Sequence, residues 1–203
     1  MREKIKREKD KEETGKTKEG TKMKIIKAKL SDLPQMMAVY AIARQMMKDT
    51  GNPNQWKDSF PEEEAVKRGI LEGKAYLCLA EEGDEGKEGE GLQPGELLGT
   101  FYFAVEDDPT YRRIYQGEWL DQEPYGVIHR VAASGRGKGF GKACFDWAGG
   151  QWGNLKIDTH RDNRVMQHVL EKNGFQKCGI IYLENGEERL AYQRRGGEGK
   201  AKG

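Results

Sequence analysis

The stretch YGVIHRVAASGRGKGFGKACFDW, residues 125–147, decides the fold of this chain. Val127–Ala133 is short and rich in branched apolar residues, a composition typical of a buried strand. A Ser-Gly pair interrupts this pattern, and glycines follow at the alternate positions 137, 139 and 141. From Phe140 onward, apolar residues including Cys144 and Trp147 repeat at helical spacing. The stretch therefore predicts a strand, a glycine-rich turn and a helix, in that order.

A glycine-rich turn that opens a helix is suited to binding an anion. The N–H groups of the first helical turn are unpaired, and the helix dipole adds partial positive charge there. Arg136, Lys138 and Lys142 add formal positive charge around the turn. The turn therefore predicts a phosphate or pyrophosphate site. A Walker loop does not fit, because Arg136 stands where its first glycine is needed, and the Rossmann spacing fails because Phe140 or Lys142 takes its last position.

The pattern that remains, Arg-x-x-Gly-x-Gly over residues 136–141, resembles the acetyl-coenzyme A loop of the GNAT superfamily of N-acetyltransferases. Residues 158–175 are similar to the family's strand, its helix led by an asparagine (Asn163) and its closing Gly-Phe pair. The two segments stand in the family's order and separation, and the resemblance covers residues 23–193. It implies an α/β (α+β) fold with helices on both faces of a mixed, mostly antiparallel sheet. That sheet would have roughly six to seven strands and would be splayed between the fourth and fifth.

The resemblance further implies a direct transfer of an acetyl group from acetyl-coenzyme A (acetyl-CoA) to an amine. In the family, a main-chain N–H of the central strand stabilises the oxyanion, and Val131 holds that position here. Val131 and Ala133 would pair with the pantetheine arm like an added strand. The residues expected to bind acetyl-CoA are Val131, Ala133, Arg136, Gly137, Lys138, Gly139, Phe140, Gly141, Lys142, Asn163 and Lys172.

An amine acceptor resembling lysine has a pKa of about 10.4, so it arrives protonated and a base must take its proton. His129 is the first candidate, because strand alternation places it on the same face as Val131. A structural histidine that is hydrogen-bonded inside the sheet is the alternative. Glu118, acting through water, is a second candidate base. Many relatives have a tyrosine as general acid where this chain has Leu170, so that residue is excluded as the acid.

Three aromatic residues are candidates for acceptor binding: Trp56, Tyr115 and Trp119. Trp56 lies in a loop between two predicted helices, where relatives build the wall of the acceptor site, but it can equally cover the edge of the core. Tyr115 and Trp119 lie just before the central strand, in a region that closes over the acceptor in relatives. The alternative for this region is a packed connection with Trp119 buried. A polar run at residues 81–96 predicts a long hairpin loop that is solvated, or that attracts a cationic acceptor.

Composition sets the domain boundaries. The chain has 203 residues and a net charge of +1, so it fits one domain and has no global field for nucleic acid or membrane. We expect a disordered charged tail at residues 1–22, an acetyltransferase domain at 23–195 and a second disordered tail at 196–203. The three cysteines are an odd number without metal-ligand spacing, so we expect no metal site and reduced, buried thiols in a cytoplasmic protein.

The sequence leaves several functional alternatives open. The acceptor is a small-molecule amine or the amine of a peptide, and a homodimer stays open. One rival is an acyl-CoA-binding sensor or interaction module without catalytic activity. The other is a structural or nucleic-acid-associated protein that acts through its charged tails, although the 1–22 segment has no aromatic residues for stacking.

Overall fold

The computed structural model describes residues 14–16, 22–57, 59–81 and 91–196. Within these ranges the strands are β1 (Thr14–Lys16), β2 (Lys22–Lys27), β3 (Ala75–Ala80), β4 (Leu97–Val105), β5 (Gly126–Ala133), β6 (Asn154–Thr159), β7 (Gln176–Tyr182) and β8 (Glu188–Arg195). The helices are α1 (Leu33–Asp49), α2 (Glu63–Leu71), α3 (Phe140–Gln151) and α4 (Arg164–Lys172). Most of residues 1–22, all of 197–203 and most of the 81–96 loop fall outside the described residues, so the expectations for them stay predictions.

The strands form one sheet in the order β1-β2-β3-β4-β5-β6-β8-β7. All neighbouring pairs are antiparallel except β5 and β6, which are parallel. The sheet thus has the expected mixed, mostly antiparallel type, and the three-residue β1 adds an eighth strand to the expected number.

Helices cover both faces of the sheet. On one face, α1 and α2 bury an apolar stripe that includes Met36, Tyr40 and Val66 against Leu77 and Ala132. On the other face, α3 and α4 pack on a larger cluster whose members include Phe101, Ile128, Phe145, Leu155 and Leu170. Seven consecutive residues of β4 are buried, as expected for a central strand that is covered on both sides.

A third buried cluster lies under the connection between β4 and β5. Its members include Tyr111 and Trp119 of the connection, packed against Tyr102, Val127 and Ile181 of the sheet. Within this connection, residues Pro109–Tyr111 form a 3-10 turn. The cluster holds the connection close to β5.

The sheet splits in its centre. β5 and β6 pair only at their beginnings, Gly126 with Leu155 and Val127 with Lys156. β5 continues to Ala133 and instead keeps its pairing with β4. β5 and β6 are the fourth and fifth strands of the sequence prediction, which did not include β1. The expected splay between them is confirmed, and it opens a gap between the last five or six residues of β5 and the end of β6.

Candidate functional site

β5 has a bulge beside the gap. Tyr102 on β4 pairs with His129, but Thr100, two residues earlier, pairs with Ala132, three residues later. β5 therefore has one extra residue at this point. Arg130, at the bulge, has a φ of +53°, which lies in the left-handed region that non-glycine residues seldom adopt.

The bulge corrects one step of the sequence argument. Strand alternation predicted that His129 and Val131 share a face, but the extra residue breaks the alternation between them. Val131 packs against the cluster that contains Ile128 on the α3 face. The ring of His129 instead faces the rings of Tyr102 and Tyr111, at centroid distances of 5.9 and 5.8 Å.

The backbone of β5 presents hydrogen-bond donors to the gap. The N–H of Ser134, just after the strand, donates to the carbonyl of Leu98 next to β4, at 2.9 Å. Because N–H groups alternate along a regular strand, that of Ala133 points away from β4. β6 pairs with β5 only as far as Val127, so this edge faces the gap.

The glycine-rich turn has the backbone that its sequence demands. Gly135, Gly137 and Gly139 have φ values of +81°, +66° and +89°, which are accessible to glycine without strain. Gly139 is the N-cap residue of α3, and no side chain caps the helix. The first intrahelical bond runs from the N–H of Ala143 to the carbonyl of Gly139 at 2.9 Å. The N–H groups that precede Ala143 in the first turn are therefore available to an anion.

The side chains around the turn differ in their contacts and in their burial. The Nε of Arg136 donates to Oε1 of Glu96 at 2.7 Å, and Lys142 forms an ion pair with Asp146 on its own helix. Lys138 is exposed. Phe140, expected among the cofactor ligands, is a buried core residue whose ring lies where a side chain at Gly99 would be. Only backbone atoms of Phe140 can therefore contribute to anion binding.

The side-chain amide of Asn163 makes hydrogen bonds within the protein. Its Oδ1 accepts a hydrogen bond from the N–H of Met166 at 3.0 Å and so caps α4, while its Nδ2 donates to Oε1 of Gln55 at 2.8 Å. The expected contact of this amide with the cofactor arm is not supported by this arrangement. Lys172 is exposed in the last turn of α4.

His129 is hydrogen-bonded to a partly buried carboxylate. Its Nε2 lies 2.7 Å from Oδ2 of Asp108. The other oxygen of Asp108 accepts from the N–H and the hydroxyl of Thr110, at 2.8 and 2.6 Å. Burial raises the pKa of Asp108, but the hydrogen bonds from His129 and Thr110 outweigh it and lower that pKa to about 2. Asp108 is therefore ionised at neutral pH and can only accept.

A second carboxylate lies on the other side of the imidazole. Oδ1 of Asp158, on β6, is 3.8 Å from Nδ1 of His129, which is beyond hydrogen-bond distance. The hydroxyl of Tyr111 donates to the same oxygen at 2.7 Å. Burial and the nearby Asp158 charge raise the pKa of Tyr111 well above its ordinary value, so this phenol stays protonated. The buried Arg189 lies 3.9 Å from Oδ2 of Asp158.

These groups line a cavity of about 570 Å³ that opens from the gap. Trp56 forms part of its wall and is itself buried, packed edge-on against Tyr40 at 5.7 Å and tilted against Phe60 at 5.8 Å. Trp56 is therefore both a cavity-lining residue and a buried core residue, so the two interpretations of it do not exclude each other. The charged residues that line the cavity are Lys57, Arg68, Glu72, Asp108, Arg130, Asp158, Glu187 and Arg189, together with His129.

Three residues predicted to act in catalysis or acceptor binding do not line this cavity. Trp119 is buried in the connection, with its Nε1 donating to the carbonyl of Tyr111 at 2.9 Å, as the packed alternative predicted. Tyr115 is exposed and makes an edge contact with Tyr182. Glu118 is exposed and does not line the cavity, so its proposed role as base is not supported.

Sequence reasoning missed the partners of His129. Neither Asp108 nor Asp158 was among the predicted site residues. Among the described residues, no group of three or more His, Cys, Asp and Glu side chains is arranged to hold a metal ion. The three cysteines are buried and none forms a disulfide. In the same part of the chain, no helix combines the length and apolar character needed to cross a bilayer.

Comparison with solved structures identifies the fold. A GNAT-family acetyltransferase from Streptococcus agalactiae has a TM-score of 0.74 and 29% identity, over 88% of this chain and 98% of that one. A GNAT-family acetyltransferase from Listeria monocytogenes has a TM-score of 0.63 and 17% identity, over 90% and 99%. The NatC complex bound to Gag peptide and CoA has a TM-score of 0.50 and 12% identity, over 85% and 98%. No family model and no curated protein matches the chain.

These neighbours confirm the resemblance that the sequence indicated. They share the mixed sheet and cover most of the chain, so the fold is that of the GNAT acetyltransferases. The fold supports acyl transfer as the class of reaction.

Proposed function

We propose that this chain, which has the fold of the GNAT-family acetyltransferases, transfers an acetyl group from acetyl-CoA to an amine. One observation carries the proposal. The gap between β5 and β6 joins a glycine-rich turn with free N–H donors at one end to a cavity containing His129 at the other. A long, flexible thioester with an anionic diphosphate matches this combination of features.

The turn fits the diphosphate. Glycines with positive φ bring the main chain close to a ligand without a Cβ in the way, and the first turn of α3 offers N–H donors in the positive end of its dipole. Gly137, Gly139 and Gly141 would present these donors, with the exposed Lys138 adding charge. Arg136 would act by holding the turn to Glu96 rather than as a free cation.

The edge of β5 fits the arm and the thioester. The N–H groups of Ala133 and Val131 would face the gap and pair with the amides of a pantetheine arm as a neighbouring strand does. The N–H of Val131 lies next to the bulge, where the chain is displaced from regular pairing. It would donate to the carbonyl oxygen as negative charge develops there.

His129 would accept the proton of the amine. Since the Asp108 carboxylate is ionised, Nε2 of His129 donates to it, and in the neutral imidazole Nδ1 then keeps its lone pair. Nδ1 faces Asp158 across 3.8 Å. An ammonium placed at this point would be attracted by Asp158 and could pass its proton to Nδ1 before the free amine attacks.

The departing thiolate would need no protein acid. Leu170 is fully buried and cannot supply a proton. A thiol with a pKa of about 8.5 is a tolerable leaving group without one. The chemistry therefore depends mainly on positioning the amine against the thioester.

Two measurements on the purified protein test this function. Calorimetric titration with acetyl-CoA should give saturable binding, and a thiol reporter should record CoA release that depends on an added amine from a broad panel. A sensor without catalytic activity would bind acetyl-CoA and release no thiol with any amine. Absence of binding would contradict the proposal outright.

A further inference from the structure

Two arginines in the cavity have no acidic partner among the described residues. Arg130 and Arg68 both line the cavity wall. The four carboxylates of the same wall each contact a cation: Asp108 contacts His129, Asp158 lies near Arg189, Glu187 contacts Arg189 and Lys57, and Glu72 contacts Lys74. Within the described parts of the chain, no carboxylate lies within ion-pair distance of either Arg130 or Arg68. The cavity therefore holds two guanidinium charges that nothing in its wall neutralises.

Arg130 is held in place by the fold rather than by a charge. Its Nη1 donates to the carbonyl of Ala65 on α2 at 2.9 Å, and its Cζ lies 4.8 Å from the centroid of the Tyr102 ring. A Cβ on Gly69 would come within 3.6 Å of Nη2, so the glycine leaves room beside the guanidinium. A guanidinium has five N–H donors, and most of those of Arg130 are left for a ligand.

The backbone of Arg130 indicates that this orientation is specific. A φ of +53° is unfavourable for a residue with a side chain and persists only where the surrounding structure enforces it. Here the bulge in β5 enforces it and directs Arg130 towards α2 and Tyr102.

Tyr102 separates the two kinds of charge in the cavity. One side of its ring faces Arg130, and the ring of His129 lies at a centroid distance of 5.9 Å. Beyond His129 lies Asp158. The cavity thus offers a carboxylate and a base for an ammonium at one point, and a guanidinium for an anion next to the Tyr102 ring.

We propose that the acceptor is an amine that also has a carboxylate, such as an amino acid. The inference rests on the proposed acetyltransferase function and specifies its substrate. Arg130 binds the carboxylate, with Arg68 adding a second positive charge from the exposed end of α2. The amine end lies against Nδ1 of His129 and Asp158. Arginine is suited to this role because its planar fork matches the two oxygens of a carboxylate.

Matched pairs of amines test the inference. The probes are the free amino acids, each compared with its own carboxamide, which keeps the amine and the side chain but loses the negative charge. We measure acetylation from acetyl-CoA by thiol release, and binding of the same probes to the protein–CoA complex by calorimetry. The wild type should favour at least one free amino acid over its carboxamide by roughly 10- to 100-fold in kcat/KM, the range expected for a charge-assisted contact.

Variants locate the effect. Arg130→Gln should remove most of that preference, and Arg68→Gln part of it, while Arg130→Lys should retain some because it keeps the charge. Arg113→Gln, an exposed arginine outside the cavity, is the matched control and should leave the preference unchanged. Binding of acetyl-CoA by each variant shows that the fold is intact.

The outcomes separate the two proposals. Acetylation of carboxamides and neutral amines as efficiently as free amino acids, or a preference that persists in Arg130→Gln, would overturn the carboxylate assignment and leave acetyl transfer standing. Failure of every amine to cause thiol release would refute acetyl transfer. Calorimetry still decides the carboxylate assignment in that case, because equal binding of free amino acid and carboxamide contradicts it.

Discussion

Asp108 fixes the chemical state of His129. An ionised carboxylate that also accepts two hydrogen bonds from Thr110 is rigid, and it can only accept from the imidazole. Nε2 therefore has a proton, and Nδ1 faces the side of the cavity where Asp158 lies.

Replacing His129 by alanine tests its role as base. Near neutral pH an ordinary amine is almost fully protonated, so turnover depends on a group that removes the proton. At a pH close to 10 much of the amine is already free, and the loss should be smaller. We expect a roughly 100-fold fall in kcat near pH 7 and a clearly smaller fall near pH 10. Equal losses at both pH values would remove His129 as the base.

Asp108→Asn tests the link between this carboxylate and stability. The pKa of Asp108 is lowered from 3.8 to about 2, so its ionised form stabilises the folded state above about pH 4. That contribution is lost as the pH falls through 4 towards 2. We expect the variant to lose about 1–2 kcal/mol of unfolding free energy at pH 7. Its stability should also change less than that of the wild type between pH 4 and pH 2, as measured by denaturant unfolding.

Thr110→Val is a useful comparison for Asp108→Asn. It removes one hydrogen bond to Asp108 and leaves the His129 contact in place. Its effect on the pH dependence of stability should have the same sign and be smaller. Parallel pH profiles for Asp108→Asn and the wild type would contradict the assigned pKa.

The glycine-rich turn and the bulge act at the scale of elements. The turn was predictable, because three alternating glycines between a strand and a helix have few other uses, and the positive φ values of Gly137 and Gly139 favour glycine there. The bulge was not, because an extra residue in a strand leaves no mark in the pattern of apolar residues. Because of the bulge, His129 and Val131 do not share a face of β5. The prediction that they share a face was therefore wrong, although both residues lie at the gap.

Gly139→Val tests the turn. A β-branched residue at a φ of +89° is strongly disfavoured, so the turn must change its backbone and its N–H groups lose their common direction. We expect the affinity for acetyl-CoA, measured by calorimetry, to fall at least 30-fold, because about two hydrogen bonds to a charged group are lost. The matched control is Gly150→Ala in α3, where a Cβ meets open space and the φ is ordinary. An unchanged affinity in Gly139→Val would refute the anion site at this turn.

At the scale of the whole molecule, the sequence predicted the fold well and the site in part. The order of strands and helices and the central splay follow from motifs that are local in sequence. The cavity depends on contacts between distant segments, such as Asp108 with His129 and Arg130 with Ala65, which no spacing reveals. Tyr115, Glu118 and Trp119 were placed by analogy with the region that precedes β5, and that region packs into a cluster of its own here.

Binding of acetyl-CoA should stabilise the whole domain, because the ligand joins the two halves of the sheet that meet at the gap. At 100 times its Kd, a ligand that binds only the folded state adds about 2.7 kcal/mol. For a chain of this size the Tm should rise by roughly 5–10 °C. Calorimetric scans should show this rise for the wild type and a much smaller one for Gly139→Val. A similar rise in both proteins would indicate that acetyl-CoA binds elsewhere.

The most direct measurement is a crystal structure of the protein grown with CoA. We predict the diphosphate on the main-chain N–H groups of residues 137–141 and the pantetheine arm along β5, with its sulfur near Val131. A structure in which CoA lies outside the space between β5 and β6, or in which that space is filled by the protein's own side chains at saturating CoA, would contradict the account.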